Sequence, residues 1–342
     1  MPRSGWSRTY TIAAALIGLL MVVGIGATSV LWANDAEPPR SPTVAQTSIP
    51  HSSPKSTWTT AKPKAMQTDP LTGGTINNNP VIAVKVENIT AARPQVGLHA
   101  ADIVFVQEVE GGQTRLISIY HTRFPKRVGP VRSARTTDAL LLPVFGKPGL
   151  VYSGANRRVQ RKIDSVSVVP ILRTTRDSRR RAPHNVFVDL QRIGETTNVG
   201  KAKPIGWTFR AEDGRWADAA TAKTFKTRVG HDTFAFEHGA GGYLVRWNGR
   251  QYADGDSGRL ARTDNVVIMQ VRNRPDGNRD VNGVPSVRSG TVGQGRVTIY
   301  RDGKKLSGSW KRVKLSAPLR FVDKFGKEIS LTPGKTWLTL SG

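Results

Sequence analysis

Two adjacent glycines, Gly111-Gly112, separate the runs from Ile103 to Glu110 and from Gln113 to His121, and no other feature of the sequence constrains the fold as tightly. Both runs are rich in apolar residues, and a two-residue glycine loop is the kind of turn that closes an antiparallel pair. The segment predicts a β-hairpin. Counting outward from the turn sets Glu110 opposite Gln113 and Glu108 opposite Arg115, and the two-residue period of a strand puts Glu108 and Glu110 on one face. Their carboxyls would then stand about 7 Å apart.

Around this hairpin the pattern is mixed. The run VIAVKV from Val81 to Val86 reads as a buried strand, Thr136 to Phe145 as a helix interrupted by Pro143, and Leu150 to Tyr152 as a short strand opening into a loop and helix. Strands and helices alternate, so the first half is expected to be α/β (α+β). From about Ile205 the chain changes to short strands (FAFEH, GYLVRW, NVVIMQV, RVTIY, RFVDKF, TWLTL) set off by NGR, GDSG, RDGK and TPGK. That spacing predicts a second, smaller, mostly β domain. The division expected is residues 69–204 and 205–342.

The 342 residues carry 51 Lys or Arg against 25 Asp or Glu, a formal charge of +26. Between Arg115 and Arg181 sixteen cationic residues face three acidic ones. A field of this sign gathers anions: nucleic acid, acidic lipid, teichoic-type polymers or phosphorylated saccharides. Cysteine is absent, which removes disulfides, thiolate chemistry and lipid attachment through an N-terminal cysteine. Residues 11–33 are almost wholly apolar and follow Arg3 and Arg8. They are long enough to span a bilayer, with 1–10 left in the cytoplasm and the rest of the chain crossing it. A cleaved signal peptide, and so a secreted chain, is the competing reading. Residues 34–68, rich in Pro, Ser and Thr, read as a disordered stalk.

Chemistry concentrates in two arginine segments. In VGPVRSAR, Val128 to Arg135, a helix start capped by Ser133 or Thr136 brings Arg132 and Arg135 to the positive end of a helix dipole. Negative charge is needed there, from Glu108 and Glu110 or from a bound anion, and the pattern leaves both open. In RDSRRRAPHN, Arg176 to Asn185, His184 is a candidate acid or base and Asn185 a candidate orienter of a carbonyl or phosphate. No metal is expected, because the six histidines are scattered without zincin or calcium-loop spacing, and no cofactor motif occurs. Ser153 lacks the Gly-x-Ser-x-Gly frame of a hydrolase elbow. Nucleic acid is not the expected partner: no helix-turn-helix or aromatic ribonucleoprotein motif is present, and the anchor places the charge outside the cytoplasm.

DPLTG (Asp69 to Gly73), Asn88, ARPQVGLHAADIV (Ala92 to Val104), VEGGQTR (Val109 to Arg115), VGPVRSAR, APHN and PGKTW (Pro333 to Trp337) together resemble the YerB-like family of bacterial cell-envelope proteins. The resemblance runs from Asp69 onward. It implies a layered-sandwich N-terminal domain and a smaller, mostly β C-terminal domain, and no established reaction. It also places the family's recurring polar positions on Asn88, Arg93, Gln95, Asp102, Glu110, Thr114, Arg115, Arg132, Ser133, Arg135, His184 and Asn185. Related members are commonly held by a lipidated cysteine, which this chain lacks.

The reading preferred from these features is a binding or assembly factor of the envelope. A basic cleft of Asn88, Arg115, Arg132, Ser133, Arg135 and Asn185 would hold an anionic wall polymer, a lipid-linked precursor or a wall-synthesis protein. The alternative is an envelope hydrolase or transferase on a saccharide or phosphoester, with Glu108, Glu110 and His184 as acid–base groups; a carboxylate pair on one strand face suits glycoside hydrolysis.

Overall fold

The computed structural model describes residues 68–196, 198–280 and 282–342. The segments read as cytoplasmic tail, anchor and stalk lie outside the described residues, except Thr68. Among the described residues no helix is long and apolar enough to cross a membrane.

Three antiparallel strands form the centre: β1 (Ile82–Asn88), β2 (Ile103–Glu108) and β3 (Thr114–Tyr120), with β3 in the middle. Next along the chain come α1 (Thr136–Leu141), broken at Pro143 into a 3-10 turn, then β4 (Gly149–Val151), α2 (Arg157–Asp164) and β5 (Val169–Ile171). β4 pairs parallel with β1, and β5 with β4. All of β1 is buried, because both faces of the sheet are covered. Its period of two sends Ala83, with Phe105, Ile117 and Ile119, into one core, and Ile82, Val84 and Val86, with Val104, Val106, Leu116 and Tyr120, into the other.

The sheet continues through the second half. Strand Thr336–Ser341 runs parallel to β2 on one side and to Asn265–Gln270 on the other, and Gly293–Arg301, Lys304–Arg312 and Arg320–Val322, with the short Ala220–Thr221 beside Lys304–Arg312, extend the same sheet to eleven strands. The expected layered α/β sandwich is therefore corrected to a more β-rich fold, in which strands of both halves share one sheet. Only 13% of the structure is helical against 42% strand. At six and eight residues α1 and α2 cannot blanket a sheet face of this width. A small second sheet, Thr224–Val229, Asp232–Gly239 and Gly242–Trp247, covers much of the second core instead, through Phe234, Phe236, Tyr243 and Trp247.

Two features position the site. The hairpin turn is of the primed kind: Gly111 and Gly112 have φ of 60° and 66°, and the Gln113 amide donates to the Glu110 carbonyl at 3.1 Å. The Val109 amide, however, donates to the Gln113 carbonyl at 2.8 Å, so Val109 and Glu110 together oppose one residue as a bulge. The second feature is a two-stranded ribbon, Asn273–Arg279 with Pro285–Ser289, lying over this turn and the start of α1. The Ser289 amide donates to the Thr137 hydroxyl at 3.0 Å, and the Thr136 hydroxyl to Asp276 at 2.9 Å.

Candidate anion-binding cleft

The bulge shifts the register by one residue. Glu108 faces Thr114, and Arg115 faces Gln107, so the predicted Glu108–Arg115 pairing is corrected. Arg115 alternates with Ile117 and Ile119 toward the first core, while Glu108 alternates with Val104 and Val106 toward the second. The carboxylate of Glu110 lies 3.7 Å from Arg115, on the first side. Glu108 and Glu110 thus stand on opposite faces, and the predicted same-face pair does not form. Glu108 instead accepts from the Asn273 amide at 2.6 Å.

Across the sheet the cross-strand row reads Gln107, Arg115, Glu87, one residue each from β2, β3 and β1. The next row inward is Phe105, Ile117, Lys85. A polar row therefore closes the end of an apolar face. VGPVRSAR is pinned beside it: Glu87 N–H donates to the Pro130 carbonyl at 2.9 Å and Arg132 N–H to the Lys85 carbonyl at 2.8 Å. Arg135 itself is the N-cap of α1, and its amide donates to Asp138 at 2.7 Å. The other oxygen of Asp138 holds the fully buried Lys85 ammonium at 2.8 Å, tying the helix start to β1. Burial draws Lys85 down to about 8 despite that carboxylate.

The resulting cleft has a volume of about 500 Å³ and is lined by Arg115, Arg132, Ser133 and Arg135 with Glu87, Glu110, Asn156 and the ribbon-tip residues Arg279, Asp280 and Asn282. Arg132 donates to Glu87 at 2.7 Å, and the Nδ1 of His184 lies 2.8 Å from the other oxygen of that carboxylate. Arg135 grips Glu110 with Nε and Nη2 at 2.5 and 2.8 Å, and Ser286 donates to the same carboxylate. Burial works to raise Glu110, but the bonded, charged Arg135 outweighs it and holds the group at about 2.

Arg115 differs. Its Nη1 is buried without a hydrogen-bond partner, and the 3.7 Å to Glu110 is too long for one. Burial, and then the neighbouring charge of Arg135, push it down to about 10, so it stays cationic at neutral pH. Beside it Gln107 is wholly buried with both amide atoms unpaired.

Of the residues singled out in the sequence, the cleft collects Glu110, Arg115, Arg132, Ser133 and Arg135, with His184 reaching it through Glu87. Asn185 stands aside, accepting from Arg176 at 3.1 Å. Asn88 belongs to another network: it donates to Thr114 at 2.6 Å and accepts from Tyr252 at 2.7 Å, and Thr114 donates to Asp232 at 2.6 Å, which joins the hairpin to the small second sheet. Glu87 and Gln107 were not foreseen. The available signal for Glu87 was VKVEN, where two charges of the same parity interrupt an apolar strand.

Residues 68–203 match the N-terminal domain, and residues 221–338 the C-terminal domain, of the protein family of unknown function DUF3048. The chain belongs to the DUF3048 family. YerB of Bacillus subtilis (strain 168), a candidate lipoprotein, is 26% identical over 306 residues, covering 82% of this chain and 87% of its own. The crystal structure of YerB from Bacillus subtilis has the same fold, with a TM-score of 0.66 at 23% identity over 80% of this chain and 96% of that one. Of the polar residues singled out in the sequence by the family resemblance, Glu110, Arg115, Arg132, Ser133 and Arg135 converge on the cleft, whereas Asn88, Gln95, Asp102 and Thr114 make internal hydrogen bonds.

Proposed function

We propose that this DUF3048 protein is a binding or assembly factor outside the cytoplasm, anchored through residues 11–33, that holds a compact anionic group of a wall polymer or its precursor in the Arg115 cleft. The observation that carries the reading is the unpaired guanidinium nitrogen of Arg115. Arg132 and Arg135 each have a carboxylate, so they frame the site, and Arg115 is the donor left for a ligand oxygen. A buried donor without a partner costs more than a satisfied one, so a phosphate or carboxylate that reached it would relieve that cost. The hydrolytic alternative paired Glu110 with Glu108, which is on the other face of the sheet; of the other carboxylates in the cleft, Glu87 is already held by Arg132 and His184.

Titrating the protein with glycerol phosphate and glucuronate, with glycerol as the uncharged control, tests this. Both anions should bind and glycerol should not. Arg115→Gln should weaken binding at least tenfold, the equivalent of roughly 1.5–3 kcal/mol for a hydrogen bond to a charged group. Equal affinity in parent and variant would remove Arg115 from the site.

A further inference from the structure

A second concave site lies on the other half of the shared sheet, between the base of the ribbon and strand Gly293–Arg301. Its volume is about 750 Å³, and it is lined by Arg272, Arg274, Arg288 and Arg296 with Gln270, Gln294, Gly293 and Trp310 among the rest. In contrast to the Arg115 cleft, no carboxylate lines it. Among the described residues none of these four guanidinium groups has an ion pair or a hydrogen bond. Arg274 and Arg288 stand directly opposite each other on the ribbon, a cross-strand like-charge pair that destabilises the ribbon unless an anion bridges it. Arg272 and Arg274 share a face two residues apart, which spaces their charges by about 7 Å.

From this groove we infer a binding site for a linear polyanion without aromatic bases, such as a polyol-phosphate chain, distinct from the cleft. The shape and the lining choose among polyanionic partners. A nucleic-acid strand would need exposed rings on which to stack its bases, but Trp310 is 2% exposed and its indole N–H is committed to the Gln270 carbonyl at 2.7 Å. An acidic bilayer would call for a convex apolar band, and Val292 is the one exposed large hydrophobic residue in the lining. A flexible chain with evenly spaced phosphates fits a groove with cations at strand spacing. Gly293, with open space where a Cβ would stand, leaves the groove unobstructed at its edge. The ribbon reaches both sites, since Arg279 and Asp280 at its tip line the cleft and Arg272, Arg274 and Arg288 at its base line the groove.

The test titrates the full chain with end-labelled poly(glycerol phosphate), single-stranded DNA of matched charge and phosphatidylglycerol vesicles across a salt series. Poly(glycerol phosphate) should bind most tightly. The double variant Arg274→Ser/Arg288→Ser should lose about tenfold in affinity, and its plot of log K against log salt should be shallower by about 1.4, at roughly 0.7 per phosphate contact on a single strand. Without ligand that variant should melt no lower than the parent, because an opposed like-charge pair has gone, so lost binding is separable from lost folding. It should also bind monomeric glycerol phosphate as the parent does, which separates this groove from the Arg115 cleft. Unchanged polymer binding in the variant, tighter binding of DNA or vesicles, or a parallel loss of monomer binding would each overturn the assignment.

Discussion

Glu110 stands between two demands. It is the counter-charge that makes Arg135 tolerable at the buried start of α1, and it lies 3.7 Å from the Arg115 nitrogen that has no hydrogen-bond partner in the cleft. Glu110→Gln should therefore move two measurements in opposite directions. Stability in urea should fall by about 3–5 kcal/mol, as when one partner of a buried ion pair is removed. Affinity for glycerol phosphate should rise about tenfold, because a competing negative charge near Arg115 has gone. If affinity falls together with stability, Glu110 shapes the site rather than competing in it. Its depressed pKa also fixes a sign with pH: the ionised group contributes stability that is complete above its ordinary value of 4.5 and is lost as pH falls toward about 2. Acid melts of the parent and of Glu110→Gln should converge over that window. That Arg135 needs a carboxylate from the hairpin was within reach of the sequence, but the choice of Glu110 over Glu108 was not. That choice follows from the bulge, and the bulge is held by contacts to Arg135 and Ser286, which are 25 and 176 residues away.

The hairpin shows what local sequence can and cannot fix. Its glycines specify a primed turn, and a primed turn is what forms, yet their substitutions should differ. A Cβ on Gly111 would meet nothing nearer than Val284 at 3.7 Å, whereas one on Gly112 would fall 2.6 Å from the His231 ring. Gly111→Asn should cost less than about 1 kcal/mol, since asparagine tolerates positive φ, and Gly112→Ala about 2–4 kcal/mol from strain and overpacking combined; chemical melts would rank them. Strand patterning located β1, β2, β3 and six of the thirteen described strands after Ile205, missing Thr224–Val229, both strands of the ribbon and Lys304–Arg312 among others, and Pro143 marked the break after α1. Strand order was another matter. The strands nearest Thr336–Ser341 in space are β2 and Asn265–Gln270, and neither is its neighbour in sequence. Sheet neighbours so distant leave no local mark, and so Glu87 could not be set beside Arg115 from the sequence alone.

For the whole molecule, a sheet shared by both halves predicts a single cooperative transition. Calorimetric and van't Hoff enthalpies of unfolding should agree, and residues 68–204 expressed alone should lack a sharp melt, because β2 would keep an unpaired edge. Two separate transitions would show that the halves are energetically independent. The arginine cleft and the arginine groove sit on opposite sides of that central seam and are joined by the ribbon, so disruption of the seam should weaken ligands at both. Strand Thr336–Ser341, the last strand in the sequence, fills the middle of the sheet. While the chain is being made, β2 and Asn265–Gln270 wait as two bare edges, and the architecture closes only when this segment threads between them. A chain without the Thr336–Ser341 strand would carry two adhesive edges in place of a closed sheet.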